Sequence, residues 1–97
     1  MIKFALLATL EAKPGKEQEV ASFLKGAIPL AMAETGTINW YALQFGPSTF
    51  GVFDTFETED ARNAHLSGEI AKALMANAPD LFSKDPVIQK VDLLAVK

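Results

Sequence analysis

The chain has 97 residues, enough for one hydrophobic core and too few for two that would each hold alone, so it reads as a single domain over 1–97. Nine Lys and Arg against twelve Asp and Glu give a net charge of −3, without the cationic field that nucleic acid or an anionic membrane surface demands. The absence of Cys removes disulfides, zinc ribbons, iron–sulfur ligation and thiol nucleophiles. No apolar run approaches the roughly 20 residues of a transmembrane helix. The short apolar stretch after Lys3 alternates like a strand and is followed by Glu11 and Lys13, so it is not taken as a secretory signal. A cytoplasmic location is the expectation.

In residues 2–12 the even positions Ile2, Phe4, Leu6, Ala8 and Leu10 are all apolar and the odd ones mixed, which predicts a strand covered on one face. Lys13-Pro14-Gly15 breaks it. Val20, Leu24, Ala27, Ile28 and Ala31 then fall on one side of a helix from Lys16 to about Ala33, with a kink or early end expected at Pro29. Glu34-Thr35-Gly36 supplies its stop. Thr37 to Phe45 and Phe50 to Phe56 are rich in aromatic and β-branched residues and flank Gly46-Pro47-Ser48, the pattern of an antiparallel hairpin. Thr58, followed by Glu59 and Asp60, is an N-cap opening a second helix that Asn77-Ala78-Pro79 is expected to close at about Ala76. Val87 to Val96 reads as a last strand.

Strand, helix, strand, strand, helix, strand predicts an α+β fold: a ferredoxin-like βαββαβ four-stranded antiparallel sheet with its helices on one face. The other face carries Ala5, Leu7, Tyr41, Leu43, Phe45 and Phe53, and a symmetric sheet-to-sheet homodimer is the expected cover.

The only histidine, His65, shares a narrow helical sector with Arg62, Glu69 and Lys72. It reads either as a boundary residue paired with Glu69 or as a proton donor or acceptor at a cavity mouth, with Ser67-Gly68 able to distort the helix and re-aim the ring. Strand alternation sets Trp40 on one face with Ile38 and Ala42, and Asn39 and Tyr41 on the other. The three cannot all line one pocket. A site for a flat phenolic molecule needs aromatic walls, which Phe23, Phe50, Phe53 and Phe56 offer, in a hollow large enough for a planar guest. Asp54, in mid-strand, needs a partner such as Trp40 or His65 if it faces the helices. No phosphate loop, dinucleotide fingerprint or metal-spaced histidine pair occurs, so no cofactor and no metal are expected.

Gly36-Thr37-Ile38-Asn39-Trp40-Tyr41, Phe50-Gly51-Val52-Phe53-Asp54-Thr55-Phe56 and Ala61-Arg62-Asn63-Ala64-His65-Leu66 together resemble the antibiotic biosynthesis and quinol monooxygenases of the dimeric α+β barrel superfamily. The likeness covers essentially the whole chain. Gly36, Tyr41, Asp54, Phe56 and Ala64-His65 match the family pattern, with Asp54 and Phe56 standing where glutamate and tyrosine or tryptophan are usual. The resemblance implies a dimeric barrel and cofactor-independent oxidation of a small phenol or quinol by O2. Asn39 and Trp40 would then hydrogen-bond the developing oxyanion, His65 or Tyr41 manage protons, and the phenylalanines exclude water. The haem-degrading branch of the fold is not matched: the first strand has no asparagine, Phe56 replaces a tryptophan, and Lys72 and Ala73 stand near the place of the later histidine. Two other readings remain: an isomerase or decarboxylase on the same barrel, with His65 and Asp54 as acid–base pair, and a non-catalytic small-molecule-binding dimer.

Overall fold

A computed structural model describes residues 2–97. Its elements are β1 (Phe4–Glu11), α1 (Glu17–Gly26), α2 (Ile28–Ala33), β2 (Thr37–Gln44), β3 (Thr49–Phe56), α3 (Glu59–Leu66), α4 (Glu69–Leu81) and β4 (Val87–Asp92). The strands form one antiparallel sheet in the order β2-β3-β1-β4, the ferredoxin-like βαββαβ topology. Leu10 lies opposite Phe50 and Ala8 opposite Val52, so the apolar alternation of β1 and β3 coincides on one face. Against that face pack Val20 and Leu24 of α1, one helical turn apart, and Leu74 and Leu81 of α4. Burying each such side chain contributes about 1.5–3 kcal/mol, which makes this layer the main source of stability. At the hairpin end, Glu11 accepts hydrogen bonds from Ser48 Oγ at 2.8 Å and Thr49 Oγ1 at 2.9 Å. These hydroxyls hold its carboxyl below the usual range.

Both predicted helices are broken in two. Pro29 does not kink a continuous helix: α1 ends at Gly26, Ala27 makes the turn, and Pro29 sits in the first turn of α2, where a missing N–H costs little. The second helix starts as expected, with Thr58 Oγ1 accepting from the Ala61 N–H at 3.0 Å. It stops at Leu66, and Gly68 caps the start of α4. The break re-phases the buried face, which is Arg62 and His65 in α3 but Ile70, Leu74 and Leu81 in α4. The expected stripe of Arg62, His65, Glu69 and Lys72 is therefore divided, and Glu69 pairs with Lys72 at 3.6 Å rather than with His65. Arg62 is buried, with Nη1 donating to the Ala5 and Val91 carbonyls at 3.3 and 3.2 Å and its guanidinium over the Phe4 ring, 5.1 Å from the centroid.

Asn77-Ala78-Pro79 does not close α4, which runs on to Leu81. Ala78 and Leu81 pack on the core, and Lys13 donates to the Pro79 and Leu81 carbonyls from its side chain and backbone at 2.6 and 2.8 Å. These bonds satisfy two of the carbonyls that the end of any helix leaves without an intrahelical partner. The last strand is shorter than expected: it ends at Asp92, and Leu94 is 97% exposed. On the helix-free face Ala5 is fully covered between Thr55 and Val91, so it adds nothing to an exposed surface. Tyr41 and Phe45 remain more than half exposed there. Gly51 is required on this face, because a Cβ would lie 2.8 Å from the Ala8 carbonyl oxygen and 2.9 Å from the Phe45 ring.

Candidate functional site

A bulge in β2 positions the site. Thr37 lies opposite Phe56 and Asn39 opposite Thr55, which leaves Ile38 as an extra residue without a partner on β3. Strict alternation would hold Thr37, Asn39 and Tyr41 on one face. The bulge instead turns Thr37 toward the helices, while Asn39 and Tyr41 stay on the helix-free face. Trp40 and Asp54 are cross-strand partners on the helix side. Asp54 is 1% exposed.

His65 is gripped from both sides. Its Nε2 lies 2.8 Å from Asp54 Oδ2, and its Nδ1 lies 2.5 Å from Glu34 Oε1. Thr37 Oγ1 donates to the same Glu34 oxygen at 2.8 Å, and the Phe56 ring stacks at a tilt 5.4 Å from the imidazole. Burial alone would push the imidazole toward its neutral form. Hydrogen bonds that the ring donates to Asp54 and Glu34, reinforced by both carboxylate charges, outweigh that cost and raise its pKa to about 9. At neutral pH the cluster is a carboxylate–imidazolium–carboxylate row, so both ring nitrogens donate.

Beneath the helices, Asp54, His65 and Trp40 share an otherwise apolar cavity with Leu6, Phe23 and Leu66. Two buried polar atoms of this wall have no hydrogen-bond partner, Asp54 Oδ1 and Trp40 Nε1. One is an acceptor and the other a donor, on directly opposed residues of adjacent strands. A buried polar atom without a partner is costly, and such an acceptor and donor together fit a hydroxyl or a water. The cavity is smaller than the sequence leads one to expect. Its volume of about 50 Å³ falls short of the roughly 150 Å³ that takes a benzene ring. Side chains of α1 and α4, among them Leu24, Ile70 and Leu74, crowd it.

Of the residues singled out in the sequence, the structure brings together His65, Asp54, Trp40 and Phe23 around this cavity. Phe50 and Phe56 are packed solid at 2% and 0% exposure and do not line it. Phe53 lies on the opposite side of the sheet, beside Leu7 and Tyr41. Asn39 is likewise on that side, its Oδ1 accepting from Thr55 Oγ1 at 2.8 Å. Trp40 meets Asn39 and Tyr41 only at a surface cleft along α2 and β2. Among the described residues no group of three His, Cys, Asp or Glu side chains is placed to hold a metal ion, and no helix is long and apolar enough to cross a membrane. Glu34, absent from the sequence reading as a site residue, is there only the stop after the first helix. Its one signal was a carboxylate beside Gly36 and Thr37 in a motif-bearing stretch, which does not tell a loop acid from a buried ligand of histidine.

The profile of the antibiotic biosynthesis monooxygenase family matches residues 3–77. Among curated proteins none is significantly similar to the chain. Among solved structures, NE2512 of Nitrosomonas europaea, a protein of unknown function, is 62% identical with a TM-score of 0.98, over 100% of this chain and 94% of its own. PA3566 of Pseudomonas aeruginosa has a TM-score of 0.82 at 20% identity, over 98% of this chain and 97% of its own. Rv0793 of Mycobacterium tuberculosis has a TM-score of 0.83 at 15% identity, over 97% of each chain. The latter two establish likeness of fold alone.

Proposed function

The chain belongs to the antibiotic biosynthesis monooxygenase family, and from that premise we propose that it is a cofactor-independent monooxygenase of a small phenol or quinol. The observation that carries the reading is the pair of unsatisfied atoms in the cavity wall, Asp54 Oδ1 and Trp40 Nε1. A phenolic hydroxyl set between them donates its proton to the carboxylate and accepts from the indole N–H. As the proton moves to Asp54, the indole faces a growing oxyanion. His65, already charged, holds Asp54 Oδ2 and keeps the other oxygen turned to the cavity.

The chemistry balances without an external reductant. The phenolate reduces O2 and bonds to it at a ring carbon, giving a ring-bound peroxide. That carbon loses its proton as the O–O bond breaks, which leaves a quinone carbonyl and a hydroxide. The hydroxide recovers the proton held by Asp54 and departs as water. Four electrons pass from substrate to O2, one oxygen atom staying on the ring and the other leaving. Because the closed cavity is small, the ring enters by displacing Phe23 and Leu66, beside the helix breaks at Ala27 and Ser67-Gly68. The whole chain acts as one domain, and two copies associate through the face bearing Tyr41, Phe45 and Phe53.

The test is oxygen uptake with a panel of phenols and hydroquinones and no added cofactor. One O2 per quinone is expected, falling by about 10²–10⁴ in Asp54→Asn. No uptake above the protein-free rate, or an unchanged rate in Asp54→Asn, refutes the proposal. The imidazolium beside a carboxylate also favours a second reading, proton transfer on a small cyclic acid, which differs by continuing without oxygen.

A further inference from the structure

His65 faces outward as well as inward. On the side away from the cavity it forms, with Glu34, the floor of a second cleft between the end of α2 and the α3–α4 junction, bordered by Gly36, Thr37 and Gly68. Glu34 is not a residue of the cavity; it reaches the histidine only from this outer side. Its carboxylate is placed there by Thr37 and by the room that Gly68 leaves. Thr37 Oγ1, re-aimed by the β2 bulge, donates to Oε1 at 2.8 Å. Oε2 is buried without a partner, so the carboxylate is held through Oε1 alone, by Thr37 and His65. Gly68 leaves the room it occupies, since a Cβ there would stand 2.8 Å from Glu34 Oε2.

We propose that Glu34 is a positioning residue for the site: from the outer cleft it fixes the charge and orientation of His65, so that Nε2–H always meets Asp54 Oδ2 and Asp54 Oδ1 is left free toward the cavity. This rests on the reading of Asp54 as the acceptor of the substrate proton, although the Glu34–His65 link itself does not. A ring whose Nδ1–H is bound can neither flip nor change tautomer without breaking a charge-assisted bond. The groups facing the ring are Asp54 and Phe56 from β3 and Glu34 and Thr37 from the two sides of the α2–β2 turn. Glu69 borders the outer cleft from α4 and is paired with Lys72. Removing Glu34 therefore leaves Asp54 as the only charged partner of His65.

The experiment is an NMR titration of the single imidazole in the intact protein and in two variants that disturb Glu34 differently. Glu34→Gln removes the charge and keeps the size. Gly68→Ala keeps the charge and displaces the carboxylate from the ring, because the far end of a flexible side chain is what the new methyl meets. The midpoint of His65 is expected to fall by more than about one pH unit in both variants. The imidazole ¹⁵N shifts should also show a mixture of tautomers above the new midpoint. If Glu34 served only to cap the loop through Thr37, both variants would melt earlier while the midpoint stayed in place. That result overturns the proposal. If either variant fails to fold, the other decides, and Glu34→Asp, with a shorter reach, is expected to give an intermediate midpoint. Lack of oxygen uptake by the wild type refutes the monooxygenase reading and leaves this titration unaffected, whereas an unmoved midpoint refutes the role of Glu34 whatever the turnover.

Discussion

Raising the pH from about 6 to about 9.5 should weaken the folded state through one side chain. His65 has a pKa of about 9 in the folded chain against 6.5 when unfolded. Because the folded value is raised, the stabilisation is complete below pH 6.5 and is lost as the pH climbs through 9. The full shift corresponds to roughly 3 kcal/mol, and solvent reaching the Glu34 side of the cluster reduces this to about 2 kcal/mol. The sequence has one His and no Cys, so His65 is the only side chain whose ordinary pKa lies inside this range, and the double variant below controls for every other group that titrates across it. Urea unfolding followed at fixed protein concentration is the assay. At a slope of about 1–1.5 kcal/mol per molar, the midpoint should drop by about 1.5 M across this range. The double variant Asp54→Asn/Glu34→Gln, which leaves His65 between neutral partners, should be far flatter over the same range. A wild type as stable at pH 9.5 as at pH 6, or a double variant with the same decline, would show that the two carboxylates do not hold the imidazolium.

Further outcomes follow from the packing. Gly51→Ala forces a methyl group against the Ala8 carbonyl and the Phe45 ring, and should cost about 1–3 kcal/mol, read as a fall of roughly 4–20 °C in melting temperature. Thr58→Ala removes the cap on the Ala61 N–H and should cost about 1 kcal/mol in the same measurement, without changing the His65 titration. Phe45→Lys, on the exposed sheet face, should convert the proposed dimer to single chains in sedimentation at micromolar protein, while its circular dichroism stays that of the wild type. A wild type that sediments as single chains would refute the dimer, and a variant that stays dimeric would place the contact between copies elsewhere.

Period and turn chemistry carried the fold into the sequence. The apolar alternation of Phe4, Leu6, Ala8 and Leu10 and the turn at Gly46-Pro47-Ser48 locate β1 and the β2–β3 hairpin. The heptad-like spacing of Val20 and Leu24 locates the first helix. Points where local preference yields to tertiary packing were not legible. The second helix looks continuous by periodicity, and although Ser67-Gly68 reads as able to distort it and re-aim His65, the full break that turns Arg62 and His65 inward follows from their partners on the sheet. Pro79 reads as a stop, yet core contacts of Ala78 and Leu81 draw α4 past it. The apolar run Leu93 to Val96 looks like strand, but pairing with β1 is already finished at Phe4↔Asp92.

The site was half legible for the same reason. A carboxylate in mid-strand signalled a partner, and His65 was one of two named, since a buried Asp must find a donor. Glu34 lies 31 positions from His65, and no spacing rule links them. Phe50 and Phe56 were read as pocket walls because aromatic composition does not distinguish a lined cavity from a filled one. Phe53 stands with Tyr41 and Leu7 by the same period-2 rule that set Trp40 apart from Asn39.

The unpaired Ile38 makes this stretch of chain sensitive to how it pairs rather than to which side chain stands there. Side chains at 38 can change while the backbone path stays, because that residue has no partner on β3. Were Ile38 to pair with Phe56, strict alternation would return and Thr37 would swing away from Glu34 onto the far side of the sheet, whereas a strand lacking that one residue would keep Thr37 opposite Phe56 with no bulge at all. Proteins that keep this histidine arrangement should therefore vary freely in which residue follows Thr37, and should either hold that residue out of the pairing or lack it.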